Sequence, residues 1–214
     1  MADAKKEEPT KPTPEEKLAA AEAEVDALVK KGLKALDEFE KLDQKQVDHI
    51  VAKASVAALN KHLVLAKMAV EETHRGLVED KATKNIFACE HVTNYLAGQK
   101  TVGIIREDDV LGIDEIAEPV GVVAGVTPVT NPTSTAIFKS LIALKTRCPI
   151  IFGFHPGAQK CSVEAAKIVR DAAIEAGAPE KDVYKRQSFP PTSLLKYAKP
   201  LRETPMTRTG WWAD

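Results

Sequence analysis

The sequence predicts an α/β fold with parallel strands, preceded by a helical segment and a protruding β-hairpin. Three stretches carry the first part of that expectation. Residues 120–126 are a run of small and β-branched apolar residues, the composition of a strand buried on both faces. Residues 133–147 then place Ile137, Leu141 and Leu144 at helical spacing, and residues 149–154 form a second short apolar run. Strand, turn, helix and strand in this order make a βαβ unit. Ligands of open α/β sheets sit beyond the carboxyl ends of the strands. Here those ends are the Pro/Thr/Asn turn at residues 127–132 and the pair His155-Pro156.

The elements ahead of this unit follow from their own signals. Residues 1–14 mix Lys, Glu and Thr with Pro9, Pro12 and Pro14 and lack apolar periodicity, so they are expected to form a flexible tail. Thr13-Pro14-Glu15-Glu16 is a helix start, with Thr13 as N-cap, Pro14 at the first position and Glu16 closing a capping box. The first helix should run to about Glu40 on a stripe of Leu18, Ala21, Val25, Leu28, Leu33 and Leu36. Asp43-Gln44-Lys45-Gln46 repeats the capping box and opens a second helix carrying Val47, Ile50, Val51, Ala54, Ala57 and Ala58. A third helix over residues 61–73 turns Leu65, Met68 and Ala69 inward. A fourth over 81–97 places Ile86, Phe87 and Tyr95 to pack. Charges on the outer faces of these helices read as a solvated surface.

Residues 101–105 and 110–118 read as two strands joined by the charged turn Arg106-Glu107-Asp108-Asp109. Such a hairpin exposes sheet edges that another subunit can pair with. After the βαβ unit, residues 157–176 form a helix with Val163, Ala166, Ile168, Val169, Ala172 and Ala173 on one side, stopped by Gly177 and Pro179. Residues 180–183 lead towards a further strand. Residues 184–214 show neither period and hold both tryptophans near the end, so they are read as not belonging to the fold, with the join near residues 182–187 as a junction.

Composition narrows the function. The chain has 214 residues, with 30 basic and 31 acidic side chains and a formal net charge of −1. That balance supplies no field to draw nucleic acid or an anionic membrane surface. No apolar run approaches the ~20 residues of a membrane span, and the amino terminus lacks the apolar core of a secretory signal. Cys89, Cys148 and Cys161 are odd in number and form no CxxC pair, against both a zinc site and a disulfide framework. His49, His62, His74 and His91 show no metal-ligand spacing. A soluble protein of a reducing cytoplasm is expected.

The string Asn131-Pro132-Thr133-Ser134-Thr135-Ala136-Ile137-Phe138-Lys139-Ser140-Leu141, continued by Leu144-Lys145-Thr146-Arg147, closely resembles the aldehyde dehydrogenase part of bifunctional aldehyde-alcohol dehydrogenases. So do Lys67-Met68-Ala69-Val70-Glu71-Glu72-Thr73, Val78-Glu79-Asp80-Lys81 and Ile116-Ala117-Glu118-Pro119-Val120-Gly121. The resemblance covers about residues 15–183 and none of 184–214. It implies the amino-terminal portion of an aldehyde-dehydrogenase-like, Rossmann-type NAD-binding domain. The implied reaction is the NAD- and CoA-dependent interconversion of acetyl-CoA and acetaldehyde, as in fermentative ethanol formation. Iron is implied only for the alcohol dehydrogenase domain, which these residues do not represent.

By that resemblance Val126, Thr127, Pro128, Val129, Thr130 and Asn131 line the dinucleotide, and His155 and Pro156 meet its adenosine ribose. The Asn131 amide can donate to a substrate carbonyl or an oxyanion, although the residues alone read it as a turn residue or the N-cap of the helix at Thr133. The family's nucleophile is a cysteine thiolate. None of Cys89, Cys148 and Cys161 falls at its position, so no catalytic residue is assigned here and the nucleophile is expected beyond the family-like part. For the chain as it stands the resemblance implies weak NAD binding and no turnover. The intact family member is a homo-oligomer acting on a small aldehyde or acyl-CoA, with the 101–118 hairpin resembling its subunit-pairing element. Two alternatives stay open. One is a catalytically inactive binding or assembly module. The other is a microcompartment CoA-dependent aldehyde dehydrogenase, for which residues 1–14 are too polar and proline-rich to be the encapsulation helix.

Overall fold

The structure, a computed structural model, describes residues 13–179. The expectations for residues 1–12 and 180–214 lie outside them. Four helices open the chain: α1 (Pro14–Phe39), α2 (Gln44–Leu59), α3 (His62–Thr73) and α4 (Val78–Ala97). The strands β1 (Gly103–Asp108) and β2 (Ile113–Ala117) follow, then β3 (Val123–Val126), α5 (Pro132–Lys145), β4 (Ile150–Gly153) and α6 (Gln159–Glu175). Both expected capping boxes form. Glu16 N donates to Thr13 Oγ1 at 3.2 Å and Gln46 N to Asp43 Oδ1 at 2.8 Å, while the two N-cap amides are held by Glu16 and Gln46 in return. Gly177, at φ +107°, ends α6 with Ala178 N bonded to Ala173 O at 2.9 Å and Gly177 N to Ile174 O at 3.0 Å, a Schellman closure.

β3 and β4 pair in parallel, Val123 opposite Ile150 through Val126 opposite Gly153, with α5 as the crossover. All four residues of β4 are buried, and its side chains alternate between two layers, as a pleated strand requires. Ile151 meets Val25 and Leu28 of α1, while Ile150 and Phe152 enter the main core with Ile50 of α2, Leu141 of α5 and Val169 of α6.

Five details differ from the sequence expectation, each for a physical reason. The inner face of α1 runs Val25, Leu28, Gly32, Ala35 and Phe39, whereas Leu18 and Leu33 are exposed. Gly32 belongs to that face because a Cβ there would come within 2.8 Å of Val122 Cγ2, so the helix can approach only through a glycine. Phe87 and Tyr95 are exposed at 58 % and 71 %. α4 instead buries Lys81, Ala82, Asn85, Ala88 and Cys89, a polar-edged face that hydrophobicity does not mark. β3 is shorter than the apolar run and is not buried on both faces. Gly121, at φ +111°, turns the chain just before it, and Ala124 and Val126 are exposed. The hairpin turn falls at residues 109–112 rather than 106–109, because Gly112 sits at φ +64° and Asp108 Oδ1 accepts from Val110 N and Leu111 N at 3.2 and 3.0 Å. Arg106 then lies within β1 and pairs across the hairpin with Glu115 at 3.1 Å. Finally, residues 156–158 form a 3₁₀ turn, so α6 begins at Gln159.

Gly125 is where β3 can lie against its partner. A Cβ there would meet Ile150 Cδ1 at 2.8 Å and Phe152 Cδ1 at 2.9 Å. Gly125→Ala is therefore expected to cost about 1–3 kcal/mol by overpacking, read as a lowered urea midpoint with unchanged m. A variant as stable as the parent would show that Ile150 and Phe152 can move aside.

Candidate functional site

Parallel pairing puts the carboxyl ends of β3 and β4 on one side, and Thr127 N extends the ladder to Gly153 O at 3.2 Å. Beyond them the turn of residues 127–131 and the 3₁₀ turn of 156–158 lie side by side. A Cβ on Gly157 would sit 3.4 Å from His155 Nδ1 and 3.7 Å from Val129 Cγ2. The structure thus gathers the residues singled out in the sequence. Val126, Pro128, Thr130, His155 and Pro156 are exposed, Val129 and Asn131 are half-buried, and Thr127 is buried. The Thr127 hydroxyl is buried without a hydrogen-bond partner. His155 Nδ1 accepts from Gly157 N at 3.0 Å, so a neutral ring carries its proton on Nε2, a donor.

Three lysines, all missed in the sequence reading of the site, hold one acceptor each at the first turn or at the end of β3 before it. Lys139 of α5 donates to Val126 O at 2.6 Å, Lys81 of α4 to Thr130 O at 2.7 Å, and Lys84 of α4 to Asn131 Oδ1 at 3.0 Å. Next to them Asn85 joins three elements, accepting from Thr133 Oγ1 at 2.9 Å and donating to His62 O at 2.9 Å. Lys81, Lys84 and Asn85 share one helical face, and in sequence such charges look like a solvated surface. Burial, and then the neighbouring Lys84 charge, hold the Lys81 ammonium below the ordinary lysine value. With Asn131 Oδ1 facing an ammonium, the Nδ2 of that amide is the atom that can donate elsewhere, which suits a carbonyl or an oxyanion. Beside Asn131, α4 and α5 frame a groove of about 430 Å³ whose walls include Phe87, Ala88, Val92 and Phe138.

Asn131 occupies the N-cap position of α5, but its side chain makes no capping bond. The amino end of α6 is closed by Glu72 of α3, whose two carboxylate oxygens accept from Lys160 N and Cys161 N, both at 2.8 Å. Burial pushes the Glu72 carboxyl up, but these two N–H donors, together with the Cys161 side chain and the Lys160 charge, outweigh it and leave it below the ordinary glutamate value. The three cysteines are all buried and free. Burial, then Glu72, pushes the Cys161 thiol up to about 12. Burial, then Glu90, does the same to Cys89, also to about 12. A thiol held protonated is no nucleophile, so both are structural. Cys148 donates its S–H to Thr146 O at 3.3 Å and closes the α5–β4 connection. Among the described residues no helix is long and apolar enough to cross a membrane.

A family model described as the aldehyde dehydrogenase family matches residues 2–181. The chain belongs to the aldehyde dehydrogenase family. Within it, aldehyde-alcohol dehydrogenase 2 of Entamoeba histolytica is 68 % identical over 158 residues, covering 73 % of this chain and 18 % of that protein. The aldehyde-alcohol dehydrogenase of Streptococcus pneumoniae is 69 % identical over 171 residues, 80 % of this chain and 19 % of its own length. The chain therefore spans about one fifth of the curated relatives it matches. Among solved structures, the acetylating aldehyde dehydrogenase of Geobacillus thermoglucosidasius superposes with a TM-score of 0.77 at 45 % identity, over 82 % of this chain and 39 % of that one. Two more distant neighbours were solved with ligands. They are an engineered glycolyl-CoA reductase with NADP⁺ (26 % identity, TM-score 0.65, 82 % of this chain and 40 % of that one) and a Rhodopseudomonas palustris propionaldehyde dehydrogenase with CoA (25 %, 0.61, 86 % and 40 %). The match places the chain in the amino-terminal, acylating aldehyde dehydrogenase part of the aldehyde-alcohol dehydrogenases.

The Glu72 contact gives this aldehyde dehydrogenase portion a pH signature. Its folded value lies below the unfolded one of about 4.3, so the stability it contributes is present above that pH and is lost as pH falls through the folded value. Glu72→Gln should lower stability at pH 7 by about 1 kcal/mol, the worth of an anion at a helix amino end. Urea midpoints of parent and variant should converge as pH drops to 3. A difference that stays constant over this range would contradict the contact.

Proposed function

We propose that the chain supplies the dinucleotide-facing portion of a CoA-acylating aldehyde dehydrogenase that uses NAD. The reaction is acyl-CoA + NADH + H⁺ ⇌ aldehyde + CoA + NAD⁺, with acetyl-CoA and acetaldehyde as the proposed pair. The observation that carries this reading is the turn at residues 127–131, with Thr130 O and Asn131 Oδ1 held by lysines of α4, set beside His155 at the adjacent strand end. In this reading Val126, Thr127, Pro128, Val129 and Thr130 bound the nicotinamide side of the dinucleotide. Asn131 Nδ2 donates to the substrate carbonyl oxygen, and His155 and Pro156 flank the adenosine ribose. When bound, the dinucleotide supplies the hydride acceptor or donor. The chain's residues fix its position and polarise the carbonyl.

With Cys89 and Cys161 held as thiols and Cys148 enclosed, the thioester-forming nucleophile is proposed to come from sequence outside these 214 residues. The purified chain should oxidise no NADH with acetyl-CoA above background, and turnover would overturn this division of labour. Its NAD affinity should be weak. In amide-resolved NMR, millimolar NAD should shift the signals of residues 126–131 and 155–157. Unmoved signals there, or shifts confined to the groove between α2 and α6 lined by His49, Lys53 and Glu175, would refute the site.

The proposed compartment is the cytoplasm, and the proposed assembly of the intact protein is a homo-oligomer. The hairpin supports the second point, because Val110, Leu111, Ile113 and Ile116 are exposed at 94 %, 69 %, 50 % and 59 %.

A further inference from the structure

We infer that Lys84 is a positioning residue that keeps Asn131 from capping α5 and turns its amide outward as a donor. Asn at a helix N-cap ordinarily accepts, through Oδ1, from the N–H of the second or third helical residue. Asn131 stands at that position, Pro132 is the first helical residue, and the N–H donors that its Oδ1 would accept from are those of Thr133 and Ser134; yet the side chain makes no such bond. Its Oδ1 instead accepts from Lys84 Nζ at 3.0 Å.

Chemistry fixes the orientation of the amide. An ammonium has only donors, so the atom facing it must be the carbonyl oxygen, and a flipped amide would set an NH₂ against an NH₃⁺. With Oδ1 held, Nδ2 must point away from Lys84. The reading of Asn131 as the carbonyl donor of the proposed reaction needs that amide aimed by something, and this inference rests on that reading for its functional meaning. The aim comes from α4, a neighbouring element, and not from the helix that Asn131 begins. Lys81, one turn earlier on α4, holds the adjacent Thr130 carbonyl and so fixes the backbone from which the Asn131 side chain projects. The capping bond of α5 is forgone, and the helix start is closed instead by Pro132 and by Thr133 Oγ1 on Asn85.

The test needs no ligand, so it separates this inference from the NAD titration above. In the unsubstituted chain, hydrogen exchange at the Ser134 amide should run without side-chain protection. In Lys84→Met, Asn131 Oδ1 is released and falls back to the cap. Exchange at Thr133 or Ser134 should then slow about tenfold, the effect of a cap bond of ordinary strength, and the Asn131 Nδ2 resonance should shift. Lys84→Arg keeps a cationic donor and should restore the parent pattern. Lys84 is exposed, so neither variant disturbs the core. Protection of Ser134 already in the parent chain, an Asn131 signal unchanged in Lys84→Met, or failure of Lys84→Arg to restore it would each overturn the inference. If instead the switch behaves as described while NAD leaves residues 126–131 unmoved, the functional reading fails and the positioning stands.

Discussion

The ammonium of Lys81, buried beneath Gly76 and bonded to the Thr130 carbonyl, is the constraint on which the candidate site depends. A buried charge is tolerated only when hydrogen-bonded, and a bond to a charged group contributes about 1.5–3 kcal/mol. That requirement forces the β3–α5 turn against α4. Once it is there, Asn85 meets Thr133 and Lys84 meets Asn131 within one further turn of the helix. The turn is thus held by two lysines from outside the βαβ unit together with Lys139 from within it, while β3 and β4 position the two strand ends of the site.

Those ends are placed by close packing. β4 lies between α1 and the α2–α5–α6 core, with Gly32 and Gly125 supplying the room for close approach. Arg147 joins the pieces at the opposite end of α5. It takes a left-handed conformation at φ +57°, uncommon for a residue with a Cβ. Its buried guanidinium donates to Glu40 O at 2.8 Å and Ala117 O at 3.1 Å. The end of α1 and the base of the hairpin are thereby tied to the turn that launches β4. A half-buried network at the start of α2, where Lys145 meets Asp48 and Gln44 bonds Thr101, secures the same end of α5.

Local signals in the sequence were sufficient for what depends on local chemistry. The capping boxes at Thr13 and Asp43, the glycine stop at Gly177 and the strand–helix–strand order all follow from neighbours within a few residues. So did the placement of residues 127–132 and 155–156 at two adjacent strand ends, which is what makes them the candidate site. The turn of the hairpin was misplaced because four consecutive charges outweighed the single glycine whose positive φ decides it. Phe87 and Tyr95 were expected inside because α4 turns a polar-edged face, led by Lys81 and Asn85, to its neighbours. The site's lysines were illegible for a related reason. Their acceptors lie 13 to 49 residues away in sequence, and a lysine written on a helix reads the same whether it meets water or a turn.

The most direct test of this account is Lys81→Met, which keeps the bulk of the side chain and removes its ammonium. The amide signals of residues 129–131 should broaden or split as the turn loses its anchor, while those of α1 and of the hairpin stay in place. A variant whose turn signals superpose on those of the parent chain would contradict the claim that α4 holds the site.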